Sequence, residues 1–262
     1  MSYGRVGNRL LIFFMFKNLL SYFKFLKSVF QYNTKYSILF IQILDECIRL
    51  GVSSILFFIF LSFMIGAVCG IHLTSMLKGM LFAEKIIPVG LKNIFFLEFS
   101  PAMMCIVFIG KNITAIAGQL FFLKTSGHFD NLKVVGIRTA SYICLPKIIA
   151  TTIVYPLLTI LSCFFSLLGG FLFCVCINNM NAIAFISAYV SVYNFKYLIL
   201  CIIKSIVFGF VCGSVSSYIG YNYDTTKNED LITISQKCFT CCCLFVLGCD
   251  VILNFINYCL TK

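Results

Sequence analysis

Apolar positions along the chain gather into five long blocks separated by shorter polar stretches. The blocks run over 48–73, 94–122, 142–177, 197–219 and 238–260. A helix needs about 20 apolar residues to cross the hydrocarbon of a bilayer, and the backbone groups of a segment in lipid must pair within that segment. The pattern therefore predicts an all-α polytopic membrane protein with five transmembrane helices.

A different pattern precedes the first block. Between residues 9 and 30 apolar side chains alternate with Lys17, Lys24 and Lys27, which fall near one side of a helix. A helix with one apolar and one basic side lies in the membrane interface. We therefore predict an N-terminal interfacial amphipathic helix over 9–30, with a frayed additional span as the alternative.

Composition agrees with a membrane protein. Hydrophobic residues make up 61% of the 262 residues, the mean hydropathy is +1.01, and only 11% are charged, against about 25% in soluble domains. This length suits a single membrane domain over 1–262. The 15 cysteines lie mostly inside apolar runs, which favours small buried hydrophobes over disulfides.

The net charge of +11 reflects topology more than nucleic-acid binding, for which the chain has no recognisable motif. Thirteen Lys and Arg lie in the polar segments on the N-terminal side of the predicted membrane, and five lie on the other side. Basic residues concentrate in cytoplasmic loops. The bias predicts a cytoplasmic N-terminus and a C-terminus on the opposite side.

The polar segment between the second and third blocks predicts a short helix over 125–136. Ser126 suits an N-cap, Phe129 and Leu132 recur at helical spacing, and Gly136 suits a helix stop. Such an amphipathic helix on the cytoplasmic side is able to lie against a soluble partner.

Polar groups inside the second block need an explanation. In LEFSPAMMCIVFIGKN (97–112), Glu98 and Lys111 are separated by about 20 Å of helix and do not form a local ion pair. Two interpretations are open. Either both groups sit at depths that water reaches, or they line a polar cavity at a dimer interface, where Pro101 loosens the backbone.

Small residues recur every fourth position in two blocks. Gly110 and Gly118 mark one face of the second block, and Gly209 and Gly213 mark one face of the fourth. Small residues let helix backbones approach closely in lipid. We expect these faces to pack on other helices, within the protomer or across a dimer.

Catalytic and cofactor signals are missing from the sequence. It contains no G-x-x-x-x-G-K-[ST] phosphate loop, no Ser/His/Asp set and no zinc-ligand spacing. We predict no catalytic residue, no metal site and no cofactor, and we expect that this chain alone does not hydrolyse ATP.

Several stretches together resemble one family. They are EFSPAMMCIVFIGKNITAIAGQL (98–120), FDNLKVVGI (129–137), LPKIIATTIVYPLLTILSCFFSLLGGFL (145–172), IKSIVFG (203–209), IGYNYD (219–224) and LGCDVIL (247–253). These stretches resemble the MlaE-type permeases, the membrane subunits of ABC transporters that carry MCE proteins and move phospholipids between membranes. A plastid branch of that family imports lipids.

The resemblance implies an architecture and partners. It implies a homodimer in a bacterial inner membrane or plastid inner envelope, with phospholipid in a cavity between the protomers. An ABC ATPase would dock on the short cytoplasmic helix over 125–136, the coupling helix between spans two and three, at Phe129, Asp130, Leu132 and Gly136. An MCE-domain protein would sit on the far side, and the polar groups of the second span would belong to the cavity or its gate.

Departures from the family pattern concern charge. Lys111 replaces an arginine, while Gln119, Gly127 and Lys133 stand where the family has acids. The coupling helix is therefore less acidic, which leaves its pairing with an ATPase open. The alternative function is an ATP-independent channel or a structural membrane subunit, which needs no docked ATPase.

Overall fold

A computed structural model describes residues 21–31, 36–77, 83–178, 181–191, 195–222 and 231–261. These residues form helices and contain no strand. We number the helices α1 (21–30), α2 (Tyr36–Leu77), α3 (83–125), α4 (His128–Val134), α5 (140–178), α6 (Ala182–Ser191), α7 (Phe195–Tyr221) and α8 (Leu231–Thr261).

Five of these helices are long and apolar enough to cross a membrane, as the sequence predicts. The spans are Ser37–Leu77, Ile86–Thr125, Ala140–Cys176, Lys196–Tyr221 and Leu231–Cys259. The first is longer than the predicted 48–73, because polar residues at a membrane surface do not interrupt a helix. With 42 residues, α2 is about 63 Å long at 1.5 Å per residue and extends well beyond the hydrocarbon.

Helix α3 is not uniform along its length. Wider π-helical segments at Phe95–Met103 and Ile109–Ile113 interrupt its α-helical parts. Pro101 lies in the first of these segments, and a proline inside a helix lacks an N–H and displaces the preceding turn. Such π-segments occur often at functional sites, and both polar groups predicted in this span, Glu98 and Lys111, lie in them.

Close backbone approach joins α2 to α5, the pair with the most extensive contact in the described structure. A Cβ atom built at Gly66 would lie 1.8 Å from the carbonyl oxygen of Ser166, and one at Gly169 would lie 2.2 Å from that of Phe63. Neither site has room for a methyl group. Glycine at these positions is what allows the two helices to touch.

The small-residue faces predicted from the sequence also pack within this chain. On α7, a Cβ atom at Gly209 would lie 2.8 Å from the Thr151 carbonyl oxygen, and one at Gly213 would lie 2.0 Å from Thr151 Oγ1. On α3, Gly110 and Gly118 face α8, where the nearest atoms belong to Phe239 at 3.7 Å and Leu231 at 3.3 Å. Gly209 and Gly213 therefore allow a close helix contact inside the protomer, while Gly118 makes a tighter contact with α8 than Gly110, where an added methyl group would fit.

We expect Gly66→Ala to destabilise the folded chain by about 1–3 kcal/mol, the usual effect of overpacking. The added methyl group would meet backbone, which cannot rotate away as a side chain does. Thermal melting of the detergent-solubilised chain measures this effect. Gly248→Ala is the matched control, because a Cβ atom at Gly248 has nothing within 4 Å. Equal melting of both variants would contradict the tight α2–α5 contact.

The described part of the N-terminal helix is amphipathic, as predicted, while residues 9–20 of that prediction lie outside the described residues. Phe25 and Val29 are buried, and Lys24 and Lys27 are exposed. The Phe25 ring lies 5.6 Å from the ring of Tyr218. Helix α1 thus packs one face on α7 and turns its lysines outward.

Helix α4 begins differently from the prediction and ends as predicted. Gly127, with φ of +76°, precedes the helix. The Ser126 hydroxyl instead donates to the Phe122 carbonyl at 2.8 Å, so the predicted Ser126 N-cap is wrong. At the other end Gly136 has φ of +82°, and Ile137 N–H donates to the Leu132 carbonyl at 3.0 Å. This is the glycine-terminated C-cap that the sequence indicates.

Candidate functional site

A buried lysine, Lys204 of α7, is the centre of a polar cluster inside the bundle. Its side chain is 1% exposed. The Nζ atom lies 3.0 Å from Asp250 Oδ1 and donates to Asn254 Oδ1 at 2.6 Å, both on α8. It also lies 3.5 Å from Glu98 Oε1 on α3. Three spans therefore meet at one ammonium group.

The acids of this cluster differ in exposure. The Asp250 side chain is 13% exposed, whereas that of Glu98 is 52% exposed. With all three groups ionised, two carboxylates face one ammonium, and the cluster carries one net negative charge. Charges within membrane spans are costly and mark functional sites by default. Glu98 is the member of the cluster that a ligand can reach.

Pro101 helps to build this cluster through the backbone. It has no N–H to donate, so the π-helical turn Phe95–Met103 has one backbone donor fewer. Lys204 Nζ donates to the carbonyl oxygen of Leu97, in the same turn, at 2.8 Å. The carbonyl of Pro101 in turn accepts a hydrogen bond of 2.5 Å from Tyr155 Oη on α5. Pro101 is buried and acts by shaping the turn that carries Glu98.

Lys111, the other predicted cavity residue, lies apart from the cluster. Its Nζ atom donates to the Ser53 carbonyl on α2 at 2.7 Å and lies 5.2 Å from the centre of the Phe57 ring. The neighbouring Asn112 is buried and accepts a hydrogen bond from Ser54 Oγ at 2.9 Å. Lys111 thus joins α3 to α2, and the structure does not bring it together with Glu98.

The predicted coupling residues lie in α4 and, for Gly136, just after its C-terminal end, at the opposite end of the bundle. From Lys204 to Tyr221, where α7 ends, is about 25 Å of helix. Phe129 is only 4% exposed, and its ring lies 5.5 Å from that of Tyr221. The sequence suggested that Phe129 faces a partner; it instead anchors α4 to the bundle. Leu132 is half-buried.

The outward surface of α4 has an apolar end and a locally neutral ion pair. Val134 is 88% exposed and Val135 is 72% exposed. The hydrogen bond that Lys133 donates to Asp130 at 2.8 Å lowers the pKa of the Asp130 carboxyl and raises that of Lys133. Because the two charges offset each other, the apolar valines dominate what this end offers to a partner.

Sequence reasoning missed Lys204 and Asp250 as functional residues, although a signal was present. Each of the second, fourth and fifth spans carries an ionisable residue in an otherwise apolar stretch: Glu98, Lys204 and Asp250. Intramembrane ionisable groups usually pair with one another. Matching the lone acid of one span to the lone base of another would have identified the cluster.

Comparison with known proteins agrees with this architecture. The family model of Permease MlaE matches residues 43–256. A probable ABC transporter permease protein of Rickettsia typhi is 26% identical over 129 residues, which cover 47% of this chain and 48% of that protein. A protein of the same description from Synechocystis sp. is 28% identical over 117 residues, 44% of this chain and 43% of that one.

The alignments with these relatives thus span about half the length of each, whereas the family model covers all five spans, α4 and α6. Its range begins within α2 and ends within α8, and it includes Glu98, Lys204 and Asp250. With five membrane-spanning helices and a match over most of its length, the chain belongs to the MlaE permease family.

Proposed function

We propose that this chain is the permease subunit of an ABC transporter that moves phospholipids between membranes. It works as a homodimer in a bacterial inner membrane, with its N-terminus in the cytoplasm. In a plastid it would have the corresponding orientation in the inner envelope. An ATPase docks at α4 and an MCE-domain protein sits at the opposite end. The protein itself carries 1–262 as one permease domain and supplies the lipid path.

The observation that carries this proposal is the half-exposed carboxylate of Glu98 on the buried Lys204–Asp250 pair. A simple membrane anchor has no use for three ionisable groups in its apolar spans, each costing about 2.5–3.5 kcal/mol to insert. A transport path for an amphiphile does need such groups, because a polar headgroup requires hydrogen-bonding partners inside the bundle. With about half of its side chain exposed, Glu98 would be the group that meets such a headgroup.

Coupling to ATP hydrolysis would use the other end of the molecule. Phe129 holds α4 on α7 through Tyr221, and α7 also carries Lys204. A push on α4 is therefore transmitted to the helix that organises the ion cluster. Such a shift of packed helices between discrete arrangements is the usual form of a transport transition.

An ATP-independent channel or structural subunit is the second candidate. It is favoured by the departures in α4, where Lys133 pairs with Asp130 within the helix and leaves no free acid for a basic ATPase surface. The two candidates differ in whether an ATPase binds at α4, because a channel or structural subunit does not need one.

We expect Val134→Asp and Val135→Asp to release the ATPase while the permease stays folded. Both valines are largely exposed, so a charge there costs the free chain little, but on docking it would be desolvated without a partner. The measurement is co-purification of the ATPase with tagged permease in mild detergent, with companions identified by mass spectrometry and permease folding followed by size-exclusion chromatography.

Val190→Asp is the matched control, because Val190 of α6 is 63% exposed and lies at the other end of the bundle. It should retain the ATPase at the wild-type ratio. Retention by all three variants would remove α4 as the docking site. Absence of any ATPase from the wild-type preparation would favour the channel.

A further inference from the structure

A second polar site lies at the α4 end of the bundle, away from Glu98. An open cavity of about 760 Å³ lies between α2, α3, α5 and α8. Its polar wall includes Glu46, Arg49 and Lys147. None of the residues of the Glu98 cluster lines this cavity.

The three ionisable groups form a chain of contacts. The two oxygens of the Glu46 carboxylate are divided between two cations: Oε1 pairs with Lys147 Nζ and Oε2 with Arg49 Nη2. Lys147 also donates to Gln119 Oε1 at 3.2 Å. The Lys147 side chain is 6% exposed and that of Arg49 is 42% exposed. Two cations against one carboxylate leave one net positive charge.

Arg49 is the most exposed of the three ionisable groups that line the cavity. A guanidinium carries five N–H donors in a planar fork, and the Glu46 contact engages Nη2. Both oxygens of the Glu46 carboxylate already have partners, so Glu46 does not compete with a bound anion for the remaining N–H groups of Arg49. The other N–H groups of the Arg49 guanidinium are therefore donors of the kind that binds phosphate oxygens in a bidentate manner.

Apolar groups flank this donor set. Phe122 and Leu231 line the same cavity and are 68% and 48% exposed at the surface of the bundle. Free phosphate would gain nothing from them. A molecule with a phosphate and an acyl chain would satisfy both parts of the site at once.

We propose that this cavity binds the phosphate headgroup of an anionic phospholipid from the leaflet on the α4 side, with Arg49 as the principal contact. Lys147 and Glu46 act as positioning residues that hold the guanidinium at the cavity wall. The proposal deepens the proposed lipid transport by adding a second headgroup site, at the other end of the bundle from the Glu98 cluster. It rests on that function only for its physiological purpose.

The test uses the purified full chain without ATPase or ATP. Retention of dioleoyl phosphatidylglycerol is measured by native mass spectrometry after delipidation and titration, with dioleoylglycerol as the phosphate-free probe. Arg49→Gln should lower retention about tenfold, the loss of about 1.4 kcal/mol. Ala115→Phe, which adds bulk to the cavity wall without replacing a charged residue, should also lower retention.

Lys237→Gln is the control, since Lys237 is an exposed lysine of α8 that does not line the cavity. It should retain phosphatidylglycerol as the wild type does. Equal retention by all variants would overturn the proposal, as would equal retention of dioleoylglycerol. Displacement of the lipid by millimolar inorganic phosphate would assign the site to free phosphate instead. This binding assay uses neither ATPase nor transport. A failure of the lipid site would therefore be distinguishable from a failure of ATPase docking at α4.

Discussion

Lys204→Met is expected to destabilise the folded chain by about 3–5 kcal/mol, the usual result of removing one partner from a buried ion pair. Methionine fills much of the space of the lysine stem but leaves the Asp250 carboxylate, 13% exposed, without its counter-ion. The Leu97 carbonyl loses a donor as well. Thermal melting and the yield of monodisperse protein in detergent measure the loss.

A second substitution separates lost charge from lost packing. In Lys204→Met/Asp250→Asn the buried carboxylate is gone, so stability should return most of the way towards the wild type. Lys237→Met on the outer surface of α8 is the matched control for loss of a lysine, and it should melt as the wild type does. If Lys204→Met alone melts normally, the cluster does not hold the three spans together.

The number of spans and the packing faces could be predicted from the sequence because they depend on local patterns. Apolar blocks of sufficient length specify α2, α3, α5, α7 and α8, since lipid leaves helices as the only way to pair the backbone. Gly209 and Gly213 specify a close approach for the same local reason. Which helix they approach is a tertiary fact, and only the structure identifies Thr151 as the contact.

The candidate site was harder to predict, because its members are distant in sequence. Glu98 and Lys111 attract attention together since they share a span, yet Glu98 pairs with Lys204 and Lys111 bonds to Ser53. Phe129 illustrates the same difficulty on α4. Its helical spacing marks an apolar face correctly, but spacing alone does not distinguish a face that docks a partner from one that packs on Tyr221.

Glu98→Gln, Glu98→Ala and Glu98→Leu are expected to slow phospholipid transfer about tenfold while the protein stays folded. The magnitude corresponds to one hydrogen bond to a charged group, about 1.5 kcal/mol. Folding should persist because Glu98 is half exposed and its removal leaves Lys204 paired with Asp250 at 3.0 Å. The measurement is transfer of fluorescent phospholipid between proteoliposomes that carry the reconstituted complex, with ATPase activity followed in parallel.

Differences among the three Glu98 variants identify what the carboxylate does. Glutamine keeps hydrogen bonding and removes the charge, so transfer by Glu98→Gln close to the wild type, with Glu98→Leu impaired, would assign a hydrogen-bonding role. Equal loss in all three would assign the role to the negative charge of the carboxylate. Normal transfer by all three would make Glu98 a tolerated polar residue at a depth that water reaches. That result would leave the Lys204–Asp250 pair as a purely structural joint between α7 and α8.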